Sequence, residues 1–540
     1  DDFRFVRAWW EVAESEGWAP YAKGDLSPFV ADIATVVNYS EGGRELKSFV
    51  ESKVGSASRK IQSESFYFRK GLQYGRRMRN PSPAVLPAGC IFSDSANALF
   101  IDGDEESDLM AYLQLLSSRL VKAVLTSLAP VRKMEVGYLQ ALPIPMVSGA
   151  DEYLVDAARS AIGAAIYELS GLETSKYFIC PRGSAKAPVQ CTRFVSAEVF
   201  GVPDVDVDHL IRHSQVNFGE DGGNVAADDA DADDNDSDEG NVLGTNDELN
   251  WRQWAVGVAF GRFDIEAVTV ATLQELPNPF EKLPPRSPGM LLDGAKPFHS
   301  HVAGILVDDP GHPQDFAHLI EEVLARVEVP VPEDLRRWLQ RDFFPFHLRR
   351  YSKSRRKAPI YWPLSTASGS YTVWCYYPKL SSQTFYSVIN NFVEPKLKQV
   401  GADVAALRNK GTARSSAEEK QFETLQTFEL ELIELRDTLL NLAPTYKPNH
   451  DDGVQINAAP LWPLFRHKPW QKVLKDTWAK LGNGEYDWAH LAMNNWPERV
   501  REKCKTDKSL AIAHRLEDLY VVPEAKPKKA RGKKKAGGAE

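Results

Sequence analysis

Residues 219–249 carry twelve carboxylates and not one basic side chain, in the run GEDGGNVAADDADADDNDSDEGNVLGTNDEL. Almost nothing in this run is apolar, so it cannot bury enough surface to offset the entropy of ordering its backbone. A disordered linker is expected over 201–249, and the rest of the 540-residue chain must then fold on either side of it. Two roles fit such a run. It can be a solvated spacer, or an acidic mimic of DNA that competes for a basic groove elsewhere in the chain.

The linker also disguises the charge of the remainder. The formal net charge is −9, and removing the twelve acids of the run brings it to +3. Seven bases crowd into 526–535, so a second disordered segment, basic this time, is expected over 524–540. Such a tail adds non-specific attraction to nucleic acid.

Two further clusters of cations lie in segments that look ordered. Arg349, Arg350, Lys353, Arg355, Arg356 and Lys357 fall within the nine residues RRYSKSRRK, which run straight into the apolar PIYWPL. Burying that much charge is costly, so the segment reads as a loop facing either solvent or a polyanion. The following SGSYTVWCYYP reads as a strand that would hold the loop in place. A basic loop on an aromatic β-segment suits a phosphate backbone, and a solvated turn is the other reading. The second cluster interleaves Arg69, Lys70, Arg76, Arg77 and Arg79 with aromatic residues, Tyr74 among them, and with Gly71 and Gly75. Glycines let a backbone approach closely or turn left-handed, and arginines on such a loop can reach guanine edges as well as phosphates. Sequence preference is therefore expected from the Arg69–Arg79 segment, and sequence-independent affinity from Arg349–Lys357.

Apolar residues make up 43% of the chain, enough for ordinary cores. No run is long and apolar enough to span a membrane, and no basic-then-apolar leader opens the chain. The five cysteines, Cys90, Cys180, Cys191, Cys375 and Cys504, are scattered and form no CxxC pair. That pattern argues against a disulfide framework or a zinc site and fits a reducing cytoplasm. The first residue is Asp rather than Met, so a piece of a longer protein is expected.

Periodicity places α+β structure in 1–200: strands near 29–38, 65–69, 85–92 and 98–101, a short helix over 41–51, and a helix capped by Ser107 with leucines and valine recurring from Leu109 to Leu128. A further helix is expected over 151–170. An α/β unit over 250–400 carries the basic loop, with helices over 334–340 and 383–399 and a strand over 371–377. In 401–445, Leu425, Phe428, Leu432, Leu435, Leu439 and Leu442 form a coiled-coil-like seam along a helix from 415 to 442, whose partner is expected within the same chain. Tryptophans 462, 470, 478, 488 and 496 mark a helical unit over 446–523, most of them as core. The fold class is therefore α+β and multidomain: a mixed-sheet recognition domain followed by an α-rich C-terminal region.

The chain has no GxxxxGK[ST] loop, no GxGxxG spacing and no HExxH, so residue patterns support a nucleic-acid-binding scaffold without chemistry of its own. Catalytic, metal-ligating and cofactor-binding residues are not expected in it.

The strings DDFRFVRAWWEV, AKGDLSPFVADIATVVNY, FYFRKGLQYGRRMRNPSPAVLPAGCIFSD and LQLLSSRLVKAVLTSLAPVRKMEVGYLQALPIP resemble the target-recognition region of large adenine-specific DNA methyltransferases. RRYSKSRRKAPIYWPLSTASGSYTVWCYY, DDGVQINAAPLWPLF and GEYDWAHLAMNNWPERVREKCKTDKSLAIAH are similar to the C-terminal half of methyltransferases of BREX- and DISARM-type phage-defence systems. The resemblance covers roughly 1–180 and 250–520. The family's Asn/Asp-Pro-Pro-aromatic motif and Gly-rich S-adenosylmethionine motif are absent, and the only Pro-Pro pair, Pro284-Pro285, sits in KLPPRSP. The resemblance thus implies the C-terminal, target-recognising half of a site-specific N6-adenine methyltransferase. Cofactor binding and methyl transfer would then belong to a catalytic domain in the same or a separate chain. The implied partners are double-stranded DNA, that domain and other defence proteins. The alternative from a different class is a partner-docking scaffold of a defence complex that reads no sequence.

Overall fold

The computed structural model describes the chain outside residues 15–16, 24–26, 77–81, 129–132, 183–199, 201–202, 204, 207–208, 210–246, 271–276, 301–303, 354–355 and 523–540. The acidic run up to Asn246, the basic tail, Cys191, Arg77, Arg79 and Arg355 lie outside the described residues. Asp247, Glu248 and Leu249 depart from the expected linker: they open a helix, Asp247–Ala259, whose later residues Trp254–Ala259 are buried. Two acids in a first turn are favoured by the positive end of the helix dipole, so acid-rich sequence there is compatible with order.

The architecture is mixed α and β with an α-rich C-terminal region, as expected. Two four-stranded sheets occupy the N-terminal part. One runs Val6–Ala8, Thr35–Asn38, Trp18–Ala22, Ile91–Phe92; the other runs Phe29–Val30, Ala84–Leu86, Gly71–Gly75, Ala96–Leu99. Each mixes antiparallel and parallel pairs, Trp18–Ala22 with Ile91–Phe92 and Phe29–Val30 with Ala84–Leu86 being parallel. The strand expected over 29–38 is thus two strands in different sheets. The helix expected from 107 to 128 is likewise two, Glu106–Leu116 and Arg119–Leu128, with Glu105 rather than Ser107 at the N-cap. Local hydrogen bonding explains the break. Ser117 Oγ donates back to Leu113 O at 2.7 Å, while Ser118 Oγ accepts from Val121 N at 3.3 Å and caps the second helix. The 18-residue helix Glu152–Leu169 packs on the first of these.

A three-stranded antiparallel sheet, Tyr361–Ser365, Thr372–Tyr376, Ile305–Val307, anchors the middle of the chain. Its central strand is buried on both faces, Trp374 and Tyr376 as well as Val373 and Cys375, because helices cover each side. Two of those helical stretches contain a π turn, Leu339–Phe343 and Ile389–Val393, and each turn is followed by a proline in the first two positions of the next helix, Pro345 and Pro395. A proline ring clashes with the carbonyl four residues back in a regular α-helix; a widened turn makes room for it.

The long helix Ser416–Leu442 forms as expected. Ser415 and Glu418 cap it reciprocally, Glu418 N donating to Ser415 Oγ at 3.3 Å and Ser415 N to Glu418 Oε2 at 2.8 Å. Leu432, Leu435 and Leu439 are buried, and the helix pairs with Glu394–Lys410 of the same chain. Trp470 is fully buried, Trp462 lies against the same core, and Trp478, Trp488 and Trp496 pack on a smaller C-terminal cluster.

The cores do not follow the linear divisions at 200, 249, 400 and 445. The largest cluster draws on Trp9, Trp10, Phe178, Trp254, Tyr361, Leu432 and Trp470 together. The first eleven residues connect it. The Arg7 guanidinium lies between the Trp18 and Trp488 rings, 5.5 Å from each centroid. It donates to the carbonyls of Asp451 at 2.9 Å and Phe3 at 2.7 Å. Glu11 accepts from Ala8 N at 2.8 Å and Val454 N at 3.0 Å. Trp10 Nε1 donates to Ala358 O at 3.0 Å. A buried cation satisfied by carbonyls rather than by a carboxylate still meets a desolvation cost, and burial, with Arg356 next, lowers the Arg7 pKa to about 10.

Candidate nucleic-acid interface

The segment expected to read bases is held tightly by its own neighbours. Arg69 forms a two-pronged ion pair with Asp104, at 2.6 and 3.1 Å, and donates to Ile101 O at 3.1 Å. Lys70 pairs with Glu106 at 2.9 Å, and Arg76 with Glu135 at 3.0 Å. Tyr74 corrects the expectation: it sits in the strand Gly71–Gly75 with 0% of its surface exposed, among Leu72, Val85, Leu109 and Leu113, and is a core residue. The alternation of Leu72, Tyr74 and their neighbours gave a strand signal that the surrounding cations obscured. Gly71 is required by close approach: a Cβ there would stand 2.6 Å from Leu99 O and 2.9 Å from the Phe100 ring.

The segment 349–357 is not a simple loop. Arg349 and Arg350 end the helix Phe344–Arg350, where cations face the negative end of the helix dipole. Ser352–Lys353 and Arg356–Lys357 then pair as a short antiparallel hairpin. At its root Tyr351 is fully buried, its ring 4.3 Å from His347 and 5.2 Å from Trp10. Its hydroxyl donates to Glu173 Oε1 at 2.5 Å and accepts from Arg262, which itself pairs with Glu173 at 3.0 Å. Both ionic partners are buried, with side chains 1% and 3% exposed. His347 takes two backbone N–H groups on Nε2, from Ile360 at 2.9 Å and Tyr361 at 3.2 Å. Burial first, then the charges of Arg262 and Arg350, hold its imidazole neutral, far below the ordinary histidine range.

The six cations of this segment have unequal surroundings. Arg356 is mostly buried: it donates to Asp2 O at 3.0 Å and Phe3 O at 3.3 Å, lies 3.5 Å from Glu11, and passes over the Phe3 ring. Lys353 donates to Asp32 O at 3.1 Å. Arg350 donates to Asn250 at 2.6 Å. Arg349 and Lys357 are exposed and have no carboxylate within ion-pair distance among the described residues. A third basic group joins them. Burial first, then Lys357 and Arg349, push the pKa of His467 down. His467 is followed by Lys468, the first residue of the helix Lys468–Gly482. Sequence reasoning missed His467, because three basic residues in RHKPW make no conspicuous run; only the fold brings His467 within the field of Lys357 and Arg349.

This arrangement defines a mixed α/β scaffold with a basic face built from two distant stretches of chain. No protein-family model matches the sequence. Over 190 residues, 32% of this chain, it is 23% identical to the adenine-specific methyltransferase BrxX of Escherichia coli O9:H4 (strain HS), and the match spans 14% of that protein. The chain is thus distantly similar to an adenine-specific methyltransferase. Among the described residues, no helix is long and apolar enough to cross a membrane.

Proposed function

We propose that this chain is the DNA-binding, target-recognising portion of an S-adenosylmethionine-dependent N6-adenine DNA methyltransferase, one that marks host DNA in a BREX- or DISARM-type phage-defence system. The distant likeness to an adenine-specific methyltransferase supports the class. The observation that carries DNA binding is the basic face at Arg349, Lys357 and His467, where Arg349 and Lys357 have no carboxylate partner among the described residues and, after burial, their charges disfavour protonation of His467. A phosphate relieves that repulsion, and released counterions add to affinity. S-adenosylmethionine and methyl transfer are assigned to another part of the enzyme, and duplex DNA, the catalytic domain and other defence proteins are the proposed partners.

Titration of the full chain with duplex DNA over a range of salt tests this. Arg349→Ala with Lys357→Ala should weaken binding to every sequence alike and lower the salt slope by about two, near one per phosphate contact. A folded double variant with unchanged affinity and slope would place the interface elsewhere. Wild-type protein without DNA affinity would leave the docking-scaffold reading, which the carboxylate-paired cations of 69–76 favour.

A further inference from the structure

Three aromatic residues in a row, Phe66, Tyr67 and Phe68, precede the paired cations of the N-terminal segment. Their rings face different ways. Tyr67 turns inward, 5.3 Å from Phe92 and 6.0 Å from Tyr39. Phe66 and Phe68 stay open, 40% and 47% exposed. Two large exposed apolar side chains two residues apart call for an explanation when the fold works to keep them there, and here it does. Phe68 has φ +68°, the left-handed region that a residue with a Cβ avoids. Two backbone hydrogen bonds hold it: Phe68 N donates to Cys90 O at 2.9 Å, and Gly89 N donates to Phe68 O at 2.9 Å. A strained backbone that its surroundings over-determine is a feature of binding sites.

The neighbours brace both rings. Phe66 stacks one face on Phe100, with centroids 5.2 Å apart. The Arg69 guanidinium lies over both, 5.4 and 5.2 Å from their centroids, and Asp104 fixes it in place. Phe68 meets Tyr39 and Tyr67 only in T-shaped contacts, at 64° and 85°, and stacks on neither, so nearly half of it stays exposed. The rim is close to neutral, since Arg69, Lys70 and Lys47 are matched by Asp104, Glu106 and Glu64. The patch therefore offers exposed aromatic surface with the Arg69 guanidinium beside Phe66, and its paired cations leave little net attraction for phosphate.

We infer that Phe66 and Phe68 form a stacking platform for unstacked nucleobases, which the rings take face to face beside the Arg69 guanidinium. This rests on the DNA-binding reading and adds to it the residues that meet bases. Every base has a π face, so such a platform tolerates any sequence and contributes affinity for unpaired bases. An enzyme that acts on a base must first take it out of the stack, and the bases left around the gap need a surface. The platform also gives Arg69 a role other than reading guanine: with both prongs on Asp104, it stiffens the stack of Phe66 on Phe100.

The test uses the full chain and two oligonucleotides, a fully paired duplex and the same duplex with two unpaired bases. Wild-type protein should prefer the second. Phe66→Ala with Phe68→Gly should cost about tenfold in affinity for the unpaired site per ring removed, with the salt slope unchanged because no cation is lost. Glycine at 68 accepts the left-handed backbone, so this variant keeps its fold, which the melting profile reports. Phe68→Trp should restore binding. Equal affinity of the folded double variant for both oligonucleotides, at the wild-type value for the duplex, fits the inference; unchanged preference for unpaired bases overturns it, as does a fall in salt slope. Failure of the wild-type protein to bind either oligonucleotide overturns the DNA-binding reading instead.

Discussion

The segments 66–76 and 349–357 look alike in sequence, each a run of cations among aromatics, and the fold treats them in opposite ways. In the first, Arg69, Lys70 and Arg76 each meet a carboxylate, and the most exposed side chains are the aromatic Phe66 and Phe68. In the second, Tyr351 is the buried residue, Arg356 is docked on the carbonyls of Asp2 and Phe3, and Arg349 and Lys357 remain exposed beside His467. Charge density along a chain therefore does not measure charge available to a ligand. What matters is whether the fold delivers carboxylates to the same place, and around Arg69–Arg76 it delivers Asp104, Glu106 and Glu135.

The contrast breaks most visibly at the root of the hairpin. Glu173→Ala leaves the Arg262 guanidinium buried without its counter-charge, and about 3–5 kcal/mol of stability should be lost. Because Tyr351 loses its acceptor too, the hairpin should loosen, and thermal unfolding together with hydrogen exchange around 351–358 reads both effects. A shift of melting temperature within error would mean that water reaches this pair and that the hairpin is not anchored from below.

Arg356→Ala sharpens the division within the hairpin itself. Its loss removes two hydrogen bonds to the carbonyls of Asp2 and Phe3 and the charge nearest the buried Glu11. About 1–3 kcal/mol of stability should go. Any loss of DNA affinity should follow the loss of folded protein, in contrast to Arg349→Ala with Lys357→Ala, which should leave melting unchanged. Equal stability of wild type and Arg356→Ala, with a reduced salt slope, would return Arg356 to the phosphate-binding set.

Smaller still is the expected effect of Arg69→Ala. With its guanidinium committed to Asp104, its removal should leave the salt slope for paired DNA where it was. A slope lowered by about one would show that the Asp104 pair opens on DNA, and would put the two segments on the same footing.

How far sequence alone reached depends on where the determining information lies. The helix 416–442 was legible because its signals are local: Ser415 and Glu418 stand three residues apart, and the leucine steps are internal to the helix. The break at Ser117–Ser118 was hidden because the leucine period continues across it while two hydroxyl groups redirect the backbone. Tyr74 was misplaced because cations on both sides masked a strand that is buried from 71 to 75. The basic hairpin was recognised as charged but not as anchored, since the partners of Tyr351, Glu173 and Arg262, come from earlier parts of the chain. His467 was missed for the same reason.

His467 provides the finest test of the comparison, because its effect is confined to one proton. Burial first, then Lys357 and Arg349, hold its pKa below the ordinary value of 6.5. In the free protein the unfolded chain binds the extra proton more readily, so this histidine contributes stability that is present above about pH 6.5 and is lost as pH falls through the folded value. A phosphate bound beside Lys357 reverses the field and raises the pKa again. Binding then takes up protons, and affinity should rise as pH falls from 7.5 toward 5.5, by less than about tenfold, since one pKa unit is a factor of ten. Anisotropy titrations at constant ionic strength, with wild type and His467→Gln side by side, isolate this contribution from other groups. The variant should show a flatter pH dependence. Coincident profiles would remove His467 from the basic face and leave Arg349 and Lys357 as its only tested members, while a flatter profile ties the helix at 468 and the hairpin at 357 to the same phosphate.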